Sequence, residues 1–382
     1  MRILQLCTRF PPGGIQRHVI DLTRGIRGRG HHVAVAGTRG AWMNEEIDPD
    51  FFQIDVHNVA AEGGSLPRRL WTALKSGLAL RKIIRREGID IVHAHESAPA
   101  LVAWVATRGL RAANKKVPVI VTFHGAEPER IGEFGRIARM TADLIVTPSH
   151  NSARDLIERG GVSASRVHVM GLGVQQKPRP PAAEVNALRR ELLGKEGQKL
   201  IVTVARLAHQ KGIDILVETA KRAIALDPTL RFVLVGNGPQ REEADRWVRE
   251  AGLEDRVRLI GHSDNAPLYL AAADLFFLPS RWESLPITIV EAFQQGTPVL
   301  ATDTAGVVEL VDSSVGQVVP IGDVNAMAHA LIDLTRDPAR LAGMSEAAIA
   351  RAGEPRFSPP HVHEAFERLY AEILARPEWR RA

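Results

Sequence analysis

Residues Ala273–Leu310 read ADLFFLPSRWESLPITIVEAFQQGTPVLATDTAGVVEL. Asp274 to Leu278 is a short apolar, aromatic-rich run closed by Pro279-Ser280, the pattern of a strand buried on both faces of a parallel sheet. Arg281-Trp282-Glu283-Ser284-Leu285 follows as a loop. Pro286 suits a first helical turn, where its missing N–H would have no intrahelical partner in any case. Ile287 to Gln295 carries the helix, Gly296 stops it, and Val299 to Ala301 begins the next strand after Pro298. Strand, loop, helix and strand in this order are the repeating unit of an open parallel sheet. Such sheets bind ligands beyond the carboxyl ends of their strands, and the first N–H groups of a helix there favour an anion.

Two carboxylates flank this turn: Glu283 in the loop and Glu291 in the helix, eight positions on. Glu291 interrupts the apolar set Ile287, Ile289, Val290, Ala292 and Phe293. Two readings stand. In one, Glu291 lies on the solvated helix face and Glu283 caps the helix. In the other, Glu291 sits in apolar surroundings and needs hydrogen-bond donors, which sugar or ribose hydroxyls would supply.

The chain has 382 residues, a length that suggests about two domains. Its 45% hydrophobic and 24% charged content are those of a soluble globular protein. No apolar run reaches the roughly 18 residues of a membrane-spanning helix, and Met1–Cys7 reads as a first strand, not a signal peptide. The single cysteine, Cys7, excludes an internal disulfide and fits a reducing cytosol, where it is read as a small core residue. Residues 1–174 hold 24 Lys and Arg against 16 Asp and Glu, whereas the remainder is slightly acidic. A basic half attracts a phosphorylated substrate, an anionic lipid or nucleic acid. With 5% aromatics and no nucleic-acid motif, nucleic acid ranks last.

In the first half, Arg2–Thr8 is a strand, Phe10–Gly14 a turn-rich loop, and Ile15–Arg27 an amphipathic helix, with a second strand at His32–Ala36. Gly13-Gly14 at the helix start lets a ligand approach the backbone, although a plain tight turn explains the pair equally and no dinucleotide fingerprint is present. Strands are expected at Phe51–Val56, Ile89–His93, Val119–Phe123 and Leu144–Thr147, with helices at Leu70–Arg86, Ala98–Ala106 and Ile131–Thr141. That alternation predicts a doubly wound α/β domain. His93, His95 and His124 end these strands, but no acidic or cysteine partner has ligand spacing, so no metal is assigned. Arg68, Arg69, Lys75, Arg81, Lys82, Arg85 and Arg86 interleave with Leu70, Trp71, Leu74 and Leu78. The helix over 68–86 is therefore either an ordinary surface helix or one that lies on an anionic membrane. Asp48-Pro49-Asp50 is read as turn chemistry.

Gln175–Pro181 is a linker. Beyond it a second domain opens with a strand at Leu200–Val204, followed by Arg206 and Lys211-Gly212. Two cations beyond a strand's carboxyl end suit a departing diphosphate, whose charge grows as the bond breaks. Further expected elements are a helix at Ile213–Leu226, strands at Arg231–Val235, Val257–Ile260 and Val318–Pro320, and helices at Val324–Thr335 and Phe366–Leu374. Gly236-Asn237-Gly238 and Gly261-His262 end two of the strands.

Glu283, seven residues, Glu291, then Gly296-Thr297-Pro298-Val299 and Gly306-Val307-Val308-Glu309, resembles the E-x7-E region of the retaining glycosyltransferases related to glycogen synthase, glycosyltransferase family 4. Ala205-Arg206-Leu207 with Lys211-Gly212 and Thr122-Phe123-His124-Gly125 agree in the family's order, so the resemblance spans nearly the whole chain. Met170-Gly171-Leu172-Gly173 departs from the family's usual Pro-Asn-Gly-Val, so the contact of that Asn is not carried over. The resemblance implies the GT-B fold, two Rossmann-like doubly wound domains facing across a cleft. The domains expected are 1–174 on the acceptor side, 175–358 for the nucleotide sugar, and a helical segment 359–382 crossing back to the first. It implies His124, Glu283, Arg206 and Lys211 as catalytic residues. Donor binding would add Gly13, Gly14, Gly236, Gly238, His262, Ser284, Leu285, Pro286 and Glu291, with no metal and no cofactor.

The expected activity is transfer of a hexose-type sugar from a nucleoside-diphosphate sugar, UDP before GDP, with retention, to a saccharide acceptor that is lipid-linked in polysaccharide assembly. The expected location is cytoplasmic, peripheral at the inner face of the plasma membrane. A soluble small-molecule acceptor, a nucleotide-sugar epimerase on the same scaffold, and a binding protein without catalysis are the alternatives.

Overall fold

A computed structural model describes residues 1–9, 13–39, 50–60, 65–111, 117–195 and 197–377. The chain divides into two compact units, Met1–Gly173 with Ser358–Ala382, and Val174–Phe357. Each is a Rossmann-like α/β domain built on a wholly parallel sheet.

The first unit runs β1 (Arg2–Arg9), α1 (Gly14–Gly28), β2 (His32–Thr38), β3 (Phe51–Gln53), α2 (His57–Ala60), α3 (Leu66–Arg86), β4 (Ile91–His95), α4 (Ser97–Arg111), β5 (Val119–Thr122), α5 (Ile131–Thr141), β6 (Leu144–Thr147), α6 (His150–Glu158) and β7 (Val167–Val169). The spatial order β3-β2-β1-β4-β5-β6-β7 reverses direction between β1 and β4. That switch point leaves a crevice beyond the carboxyl ends of these two strands. Ser149 caps α6, its hydroxyl accepting the Ser152 N–H at 3.2 Å.

The second unit runs α7 (Ala182–Leu193), β8 (Lys199–Val204), α8 (Ile213–Leu226), β9 (Leu230–Val235), α9 (Arg241–Glu250), β10 (Val257–Gly261), α10 (Ala266–Ala272), β11 (Leu275–Leu278), α11 (Ile287–Gln295), β12 (Val299–Thr302), β13 (Gly316–Val319), α12 (Val324–Thr335) and α13 (Pro338–Ala352). Its order β10-β9-β8-β11-β12-β13 switches between β8 and β11. The last helix, α14 (Pro359–Ala375), packs on α1 of the first unit and buries Phe366, Leu369, Tyr370 and Ile373.

Several elements differ from expectation for local reasons. The strand expected over Phe51–Val56 stops at Gln53, because its partner β2 ends at Thr38. The Thr38 hydroxyl then takes up the Val56 and His57 N–H groups, each at 3.3 Å. The strand expected over Ile89–His93 lies two residues later. Ile89 still closes the last turn of α3, donating its N–H to Ile84 O at 3.0 Å. Both histidines therefore belong to β4. Pro286 stands just before the first helical turn of α11, as its N-cap. The final helix begins at Pro359, seven residues earlier than its apolar run indicates. Phe10–Pro12 and Asp48-Pro49 lie outside the described residues.

The interior of the first unit holds imidazoles. His93 and His95 on β4 and His18 on α1 are all but sealed from solvent. Burial pushes His93 down to about 3, His18 to about 4, and His95 and His124 well below the ordinary imidazole value. Glu96, just after β4, is pushed the other way by burial, up to about 7. Below about pH 6.5 the unfolded chain takes up protons that the folded imidazoles refuse. Each such group then costs about 1.4 kcal/mol of stability per pH unit. Glu96 opposes this, since the folded carboxyl holds a proton that the unfolded one releases between about pH 7 and 4.5. Four imidazoles outweigh one carboxyl. The urea midpoint of unfolding is expected to fall between pH 7 and pH 5, and His93→Gln to flatten that slope. A midpoint that stays constant over this range would contradict the burial of neutral imidazoles.

Candidate active site

The second unit sets the charged residues of its candidate site on the loops that follow β8 and β11, at the switch point. Glu283 is only 7% exposed. A carboxylate buried to this degree requires compensation, and two groups provide it on the same oxygen. Lys211 Nζ forms an ion pair with Glu283 Oε1, and the Ser280 hydroxyl donates to Oε1 at 2.7 Å. Oε2 has no partner among the described residues. Glu283 does not cap α11; that helix begins with no side-chain cap, leaving its first N–H groups beside the loop.

The neighbouring residues hold this loop in place. Arg281 grips Asp214, in the first turn of α8, through two hydrogen bonds of 2.8 and 2.6 Å. Burial alone would raise the Asp214 carboxyl, but the Arg281 guanidinium holds it below the usual value. Gln210 donates to Trp282 O at 3.0 Å, and Gln210 O accepts the Arg281 N–H at 2.8 Å. Gly212 is left-handed, at φ 63°, and a side chain there would overlap Pro279 O. Gly306 donates its N–H to Glu283 O at 3.0 Å and lies flat against Ser284 O, which leaves no room for a Cβ.

The loop after β8 is tied on its other side to the ends of β9 and β10. Leu207 N–H donates to Asn237 O at 3.0 Å, and Gly236 N–H to Gly261 O at 2.7 Å. The sheet therefore brings Arg206, Lys211, Gly236, Gly238, His262, Glu283, Ser284, Leu285 and Pro286 to one edge. Ser284 and Pro286 are buried and Leu285 half-buried. Arg206 extends into solvent without an ion-pair partner among the described residues, and His262 is exposed, beside Asp264 at 3.2 Å. Glu291 lies in the second turn of α11, half-buried.

The first unit builds a different kind of site at its own switch point. His124 follows β5, and its Nε2 lies 3.0 Å from Nδ1 of His95. Its backbone N–H donates to Glu96 Oε1 at 2.7 Å. Glu96 has φ 78°, the one non-glycine residue with positive φ among those described, a conformation that costs a side chain free energy and tends to mark functional positions. Gly13 and Gly14 open α1, and one turn later His18 sets its ring 5.6 Å from that of His124. Among the described residues, His18 Nε2 is buried without a hydrogen-bond partner. His93 and His95 face Gln5, Thr122 and Tyr370, in a continuous string of hydrogen bonds. The sequence alone singles out neither Ser280 and Asp214 nor Gln5, His18, Glu96 and Tyr370. Only the run His93-Ala94-His95-Glu96 carries a signal for the last group.

Residues 184–351 match the family described as Glycosyl transferases group 1, and residues 12–176 match Glycosyltransferase Family 4. The N-acetyl-alpha-D-glucosaminyl L-malate synthase of Bacillus anthracis is 24% identical over 93% of this chain and 92% of its own. The UDP-Gal:alpha-D-GlcNAc-diphosphoundecaprenol alpha-1,3-galactosyltransferase of Escherichia coli is 30% identical over 69% of this chain and 71% of its own. Among solved structures, Anabaena HepE, crystallised with UDP and glucose, is similar with a TM-score of 0.80 at 22% identity, covering 97% of this chain and 99% of that one. With two parallel-sheet domains and both family patterns in order, the chain belongs to the family 4, group 1 glycosyltransferases of GT-B fold.

Proposed function

We propose that this protein transfers a hexose-type sugar, with retention, from a nucleoside-diphosphate sugar to a hydroxyl of a lipid-linked saccharide acceptor, UDP being the first choice of nucleotide. The observation that carries this reading is the buried Glu283 carboxylate, held through one oxygen by Lys211 and Ser280 while Oε2 is left to accept from a ligand hydroxyl. A rigid, half-satisfied carboxylate beyond the sheet is suited to the hydroxyls of a donor sugar. Glu291 is assigned to the ribose hydroxyls. Arg206, Lys211 and the backbone N–H groups at Ser284 and Leu285 are assigned to the diphosphate. These charges stabilise the leaving group as the glycosidic bond breaks, and in this reading no metal ion is required.

No carboxylate is placed as a covalent nucleophile. The step proposed is front-face: the acceptor hydroxyl attacks the anomeric carbon on the side the diphosphate leaves, and the departing phosphate oxygen takes its proton. His124 and the Gly13-Gly14 loop of the first unit are assigned, by the family pattern, to a substrate sugar hydroxyl. The UDP choice draws support from the Escherichia coli galactosyltransferase and from the HepE complex with UDP.

The lipid-linked acceptor is supported by α3. Leu70, Trp71, Leu74 and Leu78 fall on one helical stripe and are 59%, 67%, 43% and 46% exposed, outside the core clusters of the described residues. Arg68, Lys75, Lys82 and Arg85 are exposed along the same helix. An apolar stripe flanked by cations lies stably in the surface of an anionic membrane, which here would be the inner face of the plasma membrane. No described helix is long and apolar enough to cross a membrane. A soluble acceptor is the second reading, favoured by the nearly full-length match to the L-malate synthase.

Three measurements test these assignments. Glu283→Gln is expected to lower kcat/KM at least about 100-fold while remaining folded, a loss in the range seen when one group stabilising a transition state is removed. Wild-type turnover would remove Glu283 from the site. In thermal-shift titrations UDP, more than GDP or ADP, is expected to raise the melting temperature equally with magnesium or with chelator; a shift that needs magnesium would contradict metal-independent binding. The protein is expected to sediment with phosphatidylglycerol vesicles and not with phosphatidylcholine ones. Trp71→Ser with Leu74→Ser should release it, and indifference to both lipids would favour the soluble acceptor.

A further inference from the structure

A string of buried hydrogen bonds connects His124 with the C-terminal helix. His124 Nε2 meets His95 Nδ1 at 3.0 Å, and His95 Nε2 meets Gln5 Oε1 at 2.8 Å. Gln5 Nε2 donates to the Tyr370 hydroxyl at 3.3 Å, that hydroxyl meets His93 Nδ1 at 2.7 Å, and His93 Nε2 meets Thr122 Oγ1 at 2.6 Å. Gln5, His93, His95 and Tyr370 are essentially inaccessible to water, so no solvent interrupts the string. Every member is neutral: burial lowers the imidazoles and raises the Tyr370 phenol.

In a closed string of neutral groups, one proton placement dictates the rest. An amide oxygen can only accept. With Gln5 Oε1 facing His95, the proton of His95 must sit on Nε2, and its Nδ1 is bare. His124 must then donate from Nε2, which leaves its own Nδ1 bare and, among the described residues, without a partner. On the other arm the Gln5 NH2 occupies the Tyr370 oxygen, so the phenolic proton points to His93 Nδ1, and His93 donates from Nε2 to Thr122. Turning the Gln5 amide over would reverse every bond and place a proton on His124 Nδ1. The distances favour the first arrangement. A phenol donating to a carbonyl oxygen belongs near 2.7–2.8 Å, well short of 3.3 Å, whereas 2.8 Å suits an imidazole N–H donating to an oxygen.

We infer that Gln5 and Tyr370 are positioning residues: acting through His95, they fix His124 in the tautomer whose bare Nδ1 accepts a hydrogen bond from a substrate sugar hydroxyl. The identity of that hydroxyl rests on the transferase reading proposed for this site, but the tautomer is a property of the protein alone. The C-terminal helix thereby takes part in setting the polarity of a distant site, through a hydrogen bond between Tyr370 and His93 that joins residues 277 apart along the chain. Its docking against α1 is part of the active conformation of the first unit.

The test is imidazole 15N NMR of the full-length chain, with the His124 signal assigned by its loss in His124→Gln. Wild type is expected to carry the His124 proton on Nε2. Gln5→Leu, which deprives His95 of its acceptor, should convert His124 to a mixture of tautomers and lower kcat/KM about tenfold, leaving the thermal shift by UDP unchanged because UDP lacks the transferred sugar. Gln5→Glu, whose side chain keeps an acceptor toward His95, should retain the wild-type tautomer. Tyr370→Phe, a change of one oxygen atom that keeps the helix packed, should loosen the tautomer in the same direction should Gln5→Leu fail to fold. A wild-type His124 protonated on Nδ1, or a tautomer indifferent to both Gln5→Leu and Tyr370→Phe, would overturn the inference. Tautomers that respond as expected in a protein without sugar transfer would instead overturn the transferase reading and leave the string standing.

Discussion

Every strand in both sheets runs parallel to its neighbours, and the placement of both candidate sites depends on that constraint. Parallel strands must be joined by crossovers, so all the loops that leave the carboxyl ends of the strands gather on one edge of each sheet. At the switch points, β1 against β4 and β8 against β11, adjacent loops diverge to opposite faces and open a crevice. The residues of the two candidate sites, Glu96 and Gly13-Gly14 in one unit, Lys211 and Glu283 in the other, stand on the loops or at the helix start at these two places. The strands themselves supply rigidity. The central strands are buried on both faces and cannot shift register without exposing apolar side chains.

The two sites solve the cost of buried polarity differently. In the second unit the compensation is ionic. Glu283 and Lys211 are taken out of water together, and removing either would leave an uncompensated buried charge, which costs about 3 kcal/mol or more. The Arg281–Asp214 pair and the close backbone contacts at Gly212 and Gly306 hold the loop rigid around that pair. In the first unit the compensation is a neutral hydrogen-bond string. Four imidazoles within contact of one another could not all be charged, and burial keeps them neutral. A charged carboxylate with one occupied oxygen suits a site for hydroxyls beside a diphosphate; a neutral imidazole suits a site that must discriminate one hydroxyl by direction.

Much of the secondary structure is legible in the residues alone. The helices Ile131–Thr141, Ile213–Leu226, Ile287–Gln295 and Val324–Thr335 begin and end where their apolar period and punctuation indicate. Departures fall where periodicity is silent. Ile54 and Val56 are buried and alternate like a strand, yet the edge strand ends because its partner ends. The helices α7, α9 and α13 lie outside that reading.

The sequence by itself determined the fold class, the two domains' parallel sheets and part of the list of candidate site residues, because period, glycines and prolines act over a few neighbours and each leaves a local trace. It could not say which of those residues meet. Lys211 and Glu283 are 72 positions apart, His95 and His124 are 29, and Gln5 and Tyr370 are 365. Only the tertiary structure decided that Glu283 is buried against Lys211 rather than capping α11, and that His124 ends a string running to the last helix. Burial and hydrogen-bond partnership are set by the packing of distant segments, and no spacing along the chain encodes them.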